Sequence, residues 1–201
     1  MHPGRPLDPH GKEFESNMVA PEHMDFLIRM GARETPHSGR FLYDHLAGVY
    51  GLLRRWDNPE PVCLAGLFHS VYGTSAFKKE TVALSARGEV RTLIGDEAES
   101  LGYLFSVCER YSSFFALLCG ETTLKNRVSA DAIPVDEKTL ARLLELEIAN
   151  FVDHIPNLTI SEPEPKIQRM LNTYLRTMKA HASDGAFLAV QTVYRNSFPD
   201  D

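Results

Sequence analysis

Long apolar runs are missing from this 201-residue chain. No segment reaches the ~20 apolar residues that a membrane-spanning helix needs, so no membrane partner is expected. The N-terminus does not open on an apolar core of the secretory kind, and no signal peptide is expected either. Grouped basic residues are also scarce: 21 Lys and Arg stand against 27 Asp and Glu, a formal net charge of -6. Phosphate backbones are bound by clustered Lys and Arg, so nucleic acid is not expected as a partner. There are three cysteines, Cys63, Cys108 and Cys119, with no CxxC pairing. Each falls in an apolar, helix-like segment and reads as a buried free thiol rather than a disulfide or zinc ligand, which fits a reducing, cytoplasmic compartment. Alternating apolar and polar runs longer than a few residues are absent as well, leaving an all-α fold as the expectation.

What is present is 43% hydrophobic composition, enough for one domain with a sizeable core. Residues 1–16 are rich in Pro, Gly, His and charge and read as a flexible N-terminal arm; residues 17–201 read as a single helical domain, of a size that leaves oligomeric state open. Pro21 suits the first turn of a helix ending near Gly31. Further helices are expected from Phe41 to Trp56, Val62 to Val71, Glu89 to Ile94, Asp96 to Glu109, Ser112 to Cys119, Asp136 to Asp153, Lys166 to Ala182 and Ala186 to Tyr194, with Asp96 as an N-cap. The stretch from Glu121 to Pro134 is polar and turn-rich, and Lys125 and Arg127 there suit a solvated face better than an anion site.

The chain is organised around His37 to Phe77. Leu42, Leu46, Val49, Leu52, Leu53 and Trp56 recur at helical spacing, and His45 falls beside that stripe, facing inward. Pro59 and Pro61 break the chain before an almost continuously apolar helix that runs into His69, with Gly73 in the turn behind it. A lone histidine on an apolar helix is ordinarily a core residue satisfied by a backbone hydrogen bond. Two of them brought into one core can instead ligate a metal through neutral imidazole nitrogens.

The spacing of His45 to His69, the second on a buried helix behind alanine and leucine, resembles the HD superfamily of metal-dependent phosphohydrolases. The segments Ser38-Gly39, Ala65 to Thr74, Leu93 to Ala98 and Glu147 to Asn150 stand in the order of the motifs of the RelA/SpoT-type hydrolase domain, which removes pyrophosphate from (p)ppGpp. The resemblance implies a single helical bundle of the HD type over roughly residues 30–160, with His45, His69 and Asn150 in the metal-ligand places. It also places Arg40 near a nucleotide base and Ser70 and Tyr72 in the ligand pocket. The chain departs from the family pattern at Ser70, where the HD aspartate stands, at Tyr72 and Gly73, where an acidic pair stands, and at Asn150, where a metal-binding aspartate stands.

A hydrolytic metal site uses carboxylates to offset the cation's charge and to fix the water it activates. With Ser70 and Asn150 in the aspartate places the ligand set is nearly neutral, and His37 and His154 are candidates to complete a set of three or four imidazoles. Asn150 and His154, four apart, share a helix face. The resulting expectation is a divergent metal-dependent hydrolase, or another metalloenzyme, acting on a small phosphorylated molecule with Mn, Fe or Zn. The alternative is a catalytically inactive domain that binds a nucleotide or other small ligand as a sensor or accessory protein.

Overall fold

The computed structural model describes residues 19–154 and 178–197. The N-terminal arm expected over 1–16 lies outside the described residues, as does most of the helix expected over 166–182, whose last part, Met178–Ala180, forms a 3-10 turn. The described chain is mostly helical: α1 (Pro21–Arg29), α2 (Leu42–Arg55), α3 (Glu60–Phe68), α4 (Arg87–Ile94), α5 (Asp96–Val107), α6 (Arg110–Leu118), α7 (Glu137–His154) and α8 (Asp184–Ser197). Among the described residues, no helix is long and apolar enough to cross a membrane.

Two short antiparallel hairpins interrupt the helices. The first pairs β1 (Pro36–His37) with β2 (Arg40–Phe41) across Ser38 and Gly39, both at positive φ, 47° and 78°. That is the two-residue hairpin turn whose twist matches its strands, and Gly39 takes its half without strain. The second pairs β3 (Thr123–Lys125) with β4 (Ala132–Pro134) inside the stretch read from sequence as irregular and polar. Only Leu124 of β3 is fully buried, so three-residue strands with one inward side chain leave too short an alternation to read.

Helices form where the apolar spacing places them, and their ends follow local chemistry. Pro21 occupies the first turn of α1, where its missing N–H costs nothing. Asp96, expected as a cap, is instead the first helical residue of α5; Gly95, at φ 85°, precedes it as the cap residue. The carboxylate then lies in the first turn with Glu97 and Glu99, on the positive end of the helix dipole.

The core is built where α2 packs on α3 and α7, and α3 on α5. Leu46, Val49, Leu53, Leu67, Phe68, Phe105, Leu143 and Leu146 are fully or almost fully buried there. Gly66 sits at the crossing: a Cβ on it would run into Leu53 Cδ1 and come within 3.2 Å of Val49 Cγ1. Its lack of a side chain lets α3 approach α2. Cys63 and Cys108 are buried free thiols as expected, whereas Cys119, two residues past Leu117 at the end of α6, is exposed.

Glu145 fastens α8 to this core. It accepts hydrogen bonds from Asn58 Nδ2 at 2.7 Å and from the Ser183 hydroxyl at 3.1 Å and backbone N–H, and Ser183 Oγ in turn accepts from Ala186 N–H in the first turn of α8. A second small apolar cluster, Ile148 with Ala186 and Val190, lies beneath.

The close crossing at Gly66 leads to a direct expectation. Gly66→Ala forces Leu53 out of its rotamer and costs about 1–3 kcal/mol, as overpacked cores do. Urea unfolding followed by far-UV circular dichroism measures it; an unchanged midpoint would mean that α2 and α3 do not meet here.

Candidate metal centre

Four histidines from four places in the chain converge. His45 comes from the buried face of α2, His69 from the C-cap of α3, His37 from β1 and His154 from the last position of α7. The rings of His45 and His154 stack at 4.4 Å between centroids, His37 lies 4.5 Å from His45 and 5.0 Å from His154, and His69 meets His45 edge-on at 5.1 Å. One nitrogen from each of His37, His45 and His154 falls within 4.8 Å of the others, so this trio can hold a metal ion. His45 belongs both to the trio and to the pair with His69.

Hydrogen bonds decide which nitrogens are available. His69 Nδ1 lies 2.7 Å from the Gly66 carbonyl, an acceptor only, so Nδ1 carries the proton and Nε2 keeps its lone pair. His45 Nδ1 lies 2.6 Å from Oδ2 of Asp153, which likewise fixes the proton on Nδ1. The two bare Nε2 atoms face each other at 3.3 Å in the buried interior. Two lone pairs at that separation repel unless a proton or a cation lies between them.

Burial argues against the proton. It is the largest cause holding His69 down to about 3 and His45 further below the usual histidine range, and the neighbouring histidines and the Arg40 and Arg110 guanidiniums add to it. His37 and His154 are each held down to about 4 by burial first, with Arg40, Arg110 and, for His154, His37 acting in the same direction. All four imidazoles are neutral near pH 7, the state a metal requires of them. His37 Nε2 is buried and has no hydrogen-bond partner among the described residues.

Asp153 was not singled out in the sequence, yet it is central. Its Oδ2 accepts from His45 Nδ1 and pairs with Arg40, whose Nη2 also reaches the Asp153 backbone carbonyl at 3.3 Å. A carboxylate on the far nitrogen of a ligating histidine fixes its tautomer and raises its basicity. Asp153 lies three residues beyond Asn150 and so on the same side of α7, but an acidic residue near a helix end does not mark itself as buried. Gly48 on α2 makes room for it, since a Cβ there would collide with the Asp153 carboxylate.

The remaining expected residues divide. Asn150 and Ser70 line a cavity of about 220 Å³ together with His37, His154, Thr74 and Arg110. Arg40, which the resemblance places near a nucleotide base, pairs with Asp153 of the chain itself. Tyr72 does not reach this cavity: its hydroxyl donates to Glu99 Oε1 at 3.1 Å, in a buried network where Arg87 and Arg91 bind the same carboxylate. Burial would raise the Glu99 pKa, but the two arginines outweigh it and hold the carboxylate ionised. Tyr72 therefore serves that network. Arg110, also missed in the sequence, pairs with buried Glu147 at 3.3 Å and lies over the Phe105 ring.

Histidines held neutral in the fold take up protons near their ordinary value of 6.5 once unfolded, so the unfolded state binds more protons below that pH. Stability from this cluster is present above 6.5 and falls as pH drops towards about 4, where His37 and His154 titrate, and on to about 3 for His69. Urea midpoints of the metal-free chain are expected to fall steadily between about pH 7 and about pH 4.5. A midpoint that stays level over that window contradicts a buried neutral cluster.

Residues 26–110, which carry His37, His45, His69 and Arg110 but neither Asp153 nor His154, match a family model described as a domain of unknown function, DUF6817. No curated protein and no solved structure matches the chain.

Proposed function

We propose that this chain is a divergent HD-type metal-dependent hydrolase, similar to the RelA/SpoT-type hydrolase domain, that acts on a small phosphorylated molecule through a histidine-rich metal centre. The observation that carries this reading is the pair of Nε2 lone pairs of His45 and His69, 3.3 Å apart and each fixed by a proton acceptor on its other nitrogen. Two imidazoles bound to one tetrahedral ion at about 2.0–2.1 Å place their nitrogens about 3.3 Å apart, so the spacing fits a shared cation. His37 and His154 lie close enough to His45 to form a trio with it, a second grouping that shares His45 with the pair and does not include His69. A set dominated by imidazole, in which the nearest carboxylate is engaged with His45 and Arg40, suits zinc or iron better than magnesium or manganese.

A bound ion would supply a Lewis acid and a water of lowered pKa. The chain's own residues do the rest. His45 and His69 bind through Nε2; Asp153 and the Gly66 carbonyl hold the Nδ1 protons and so aim both rings. Phe105, edge-on to His69 at 5.2 Å, and Phe77, edge-on to His37 at 4.7 Å, pack against those rings and hold them in place.

One observation favours a second reading, a catalytically inactive domain that binds a small ligand as a sensor. Ser70 and Asn150 hold the places where the resembled family has aspartates, and both line the cavity. Metal content and turnover separate the two.

Elemental analysis of untagged protein is expected to find about one zinc or iron per chain, lost in the double variant His45→Ala/His69→Ala. Asp153→Asn keeps the shape but removes the charge behind His45 and is expected to weaken the metal about 10–100-fold, read by chelator competition. No metal in the wild-type chain after supply of zinc, iron and manganese would end the metalloenzyme reading. Metal bound without hydrolysis of any phosphorylated small molecule would leave the sensor reading.

A further inference from the structure

The cavity beside the histidine cluster has its own chemistry. The β1–β2 hairpin forms one wall with His37, and α7 forms another with Asn150 and His154; Ser70, Thr74 and Arg110 complete it. No aspartate or glutamate is among the described residues that line it. Ser70 and Asn150, which line it, are 2% and 6% exposed, and His37, which lines it too, has a buried Nε2 with no hydrogen-bond partner among the described residues. Buried polar groups are almost always partnered, so an orphaned ring nitrogen beside a buried hydroxyl and amide calls for a polar occupant. Thr74 Oγ1 accepts the Phe77 N–H at 2.9 Å, which leaves its own proton to donate.

Donors prevail in this lining: a guanidinium, the three hydroxyls of Ser38, Ser70 and Thr74, and an amide, with the His37 ring alongside. Arg110 is 4% exposed, and one Nη meets Glu147 at 3.3 Å, which holds the guanidinium plane in place. Guanidinium groups bind planar and tetrahedral oxoanions through paired N–H donors. The volume of about 220 Å³ falls below the roughly 300–1,000 Å³ of pockets that enclose drug-sized ligands.

We propose that this cavity is a subsite for a small oxoanion, a phosphoryl or carboxylate group on a molecule smaller than a nucleoside, held by Arg110, Ser70 and Asn150 beside the histidine cluster. The proposal deepens the metal-centre reading and rests on it for the chemistry that follows binding, because the cavity shares His37 and His154 with the cluster. It departs from a nucleotide substrate of the (p)ppGpp kind, because the cavity is smaller than the pockets that enclose drug-sized ligands.

The test is calorimetric titration of the full chain, zinc-loaded and chelator-stripped, with inorganic phosphate, malonate and AMP. Phosphate or malonate is expected to bind one to one, and which of them binds tighter tells a phosphoryl site from a carboxylate site. Arg110→Met combined with Glu147→Gln, so that no buried carboxylate loses its partner, is expected to weaken binding at least about tenfold. Should that variant fail to fold, Ser70→Ala and Asn150→Ala, each expected to weaken binding several-fold at an unchanged melting temperature, carry the test. Arg110-dependent binding to a chain that holds no zinc supports the subsite while the metal reading falls. Zinc bound with no anion binding, or anion binding that ignores all three substitutions, overturns the subsite and leaves the metal centre. AMP binding as tightly as phosphate, and displaced by it, overturns the size limit and with it the proposal.

Discussion

One carboxylate oxygen, Oδ2 of Asp153, ties together three separate parts of this molecule. It takes the Nδ1 proton of His45 from α2, pairs with Arg40 from the β1–β2 hairpin and is itself carried by α7. Each of these contacts needs the others. Without Arg40 the carboxylate, 9% exposed, would lose a cation that offsets its charge, a costly change. Without Asp153 the tautomer of His45 would be open, and its Nε2 would not be committed to the lone pair that faces His69. The hairpin that brings Arg40 also brings His37, so the ion pair that closes the loop onto α7 places a third imidazole next to the first two.

The close approach of backbones makes this possible, and it happens at two glycines. Gly48 allows the Asp153 carboxylate to lie against α2, and Gly66 allows α3 to lie against α2 so that His69 and His45 meet. Both glycines lie inside helices, where they weaken local propensity relative to alanine by up to about 1 kcal/mol each. The chain thus accepts local helical weakness at the two positions where proximity of the histidines depends on it.

Much of this was legible in the sequence, and what was not has physical reasons. The apolar periodicity of α2 and α7 marked those helices and put His45 beside the buried stripe, while the almost continuously apolar run of α3 put His69 in the core. The face shared by Asn150 and His154 was legible for the same reason. Asp153 and Arg110 were not, because an acidic residue near the end of a helix and a basic residue at the start of one are ordinary surface features. Only the long-range partners, 108 residues away for Asp153 and 37 for Arg110, show that they are inside. Tyr72 was read towards the cavity from the order of motifs, but its direction is set by Glu99 on α5, a contact that no local pattern encodes. The short hairpins escaped because pairs of two- and three-residue strands carry too few alternations to stand out from turn residues.

The chain has one tryptophan, Trp56, and its position gives it an incidental use. The indole lies directly against Gly185 in the first turn of α8, where a Cβ would come within 2.7 Å of Trp56 Cδ1, and it packs on the small cluster of Ile148, Ala186 and Val190. Glu145 and Ser183 hold the start of α8 beside it. The indole also packs on the main core, so its fluorescence reports how α8 is seated on that core, and detachment of the helix can be watched optically.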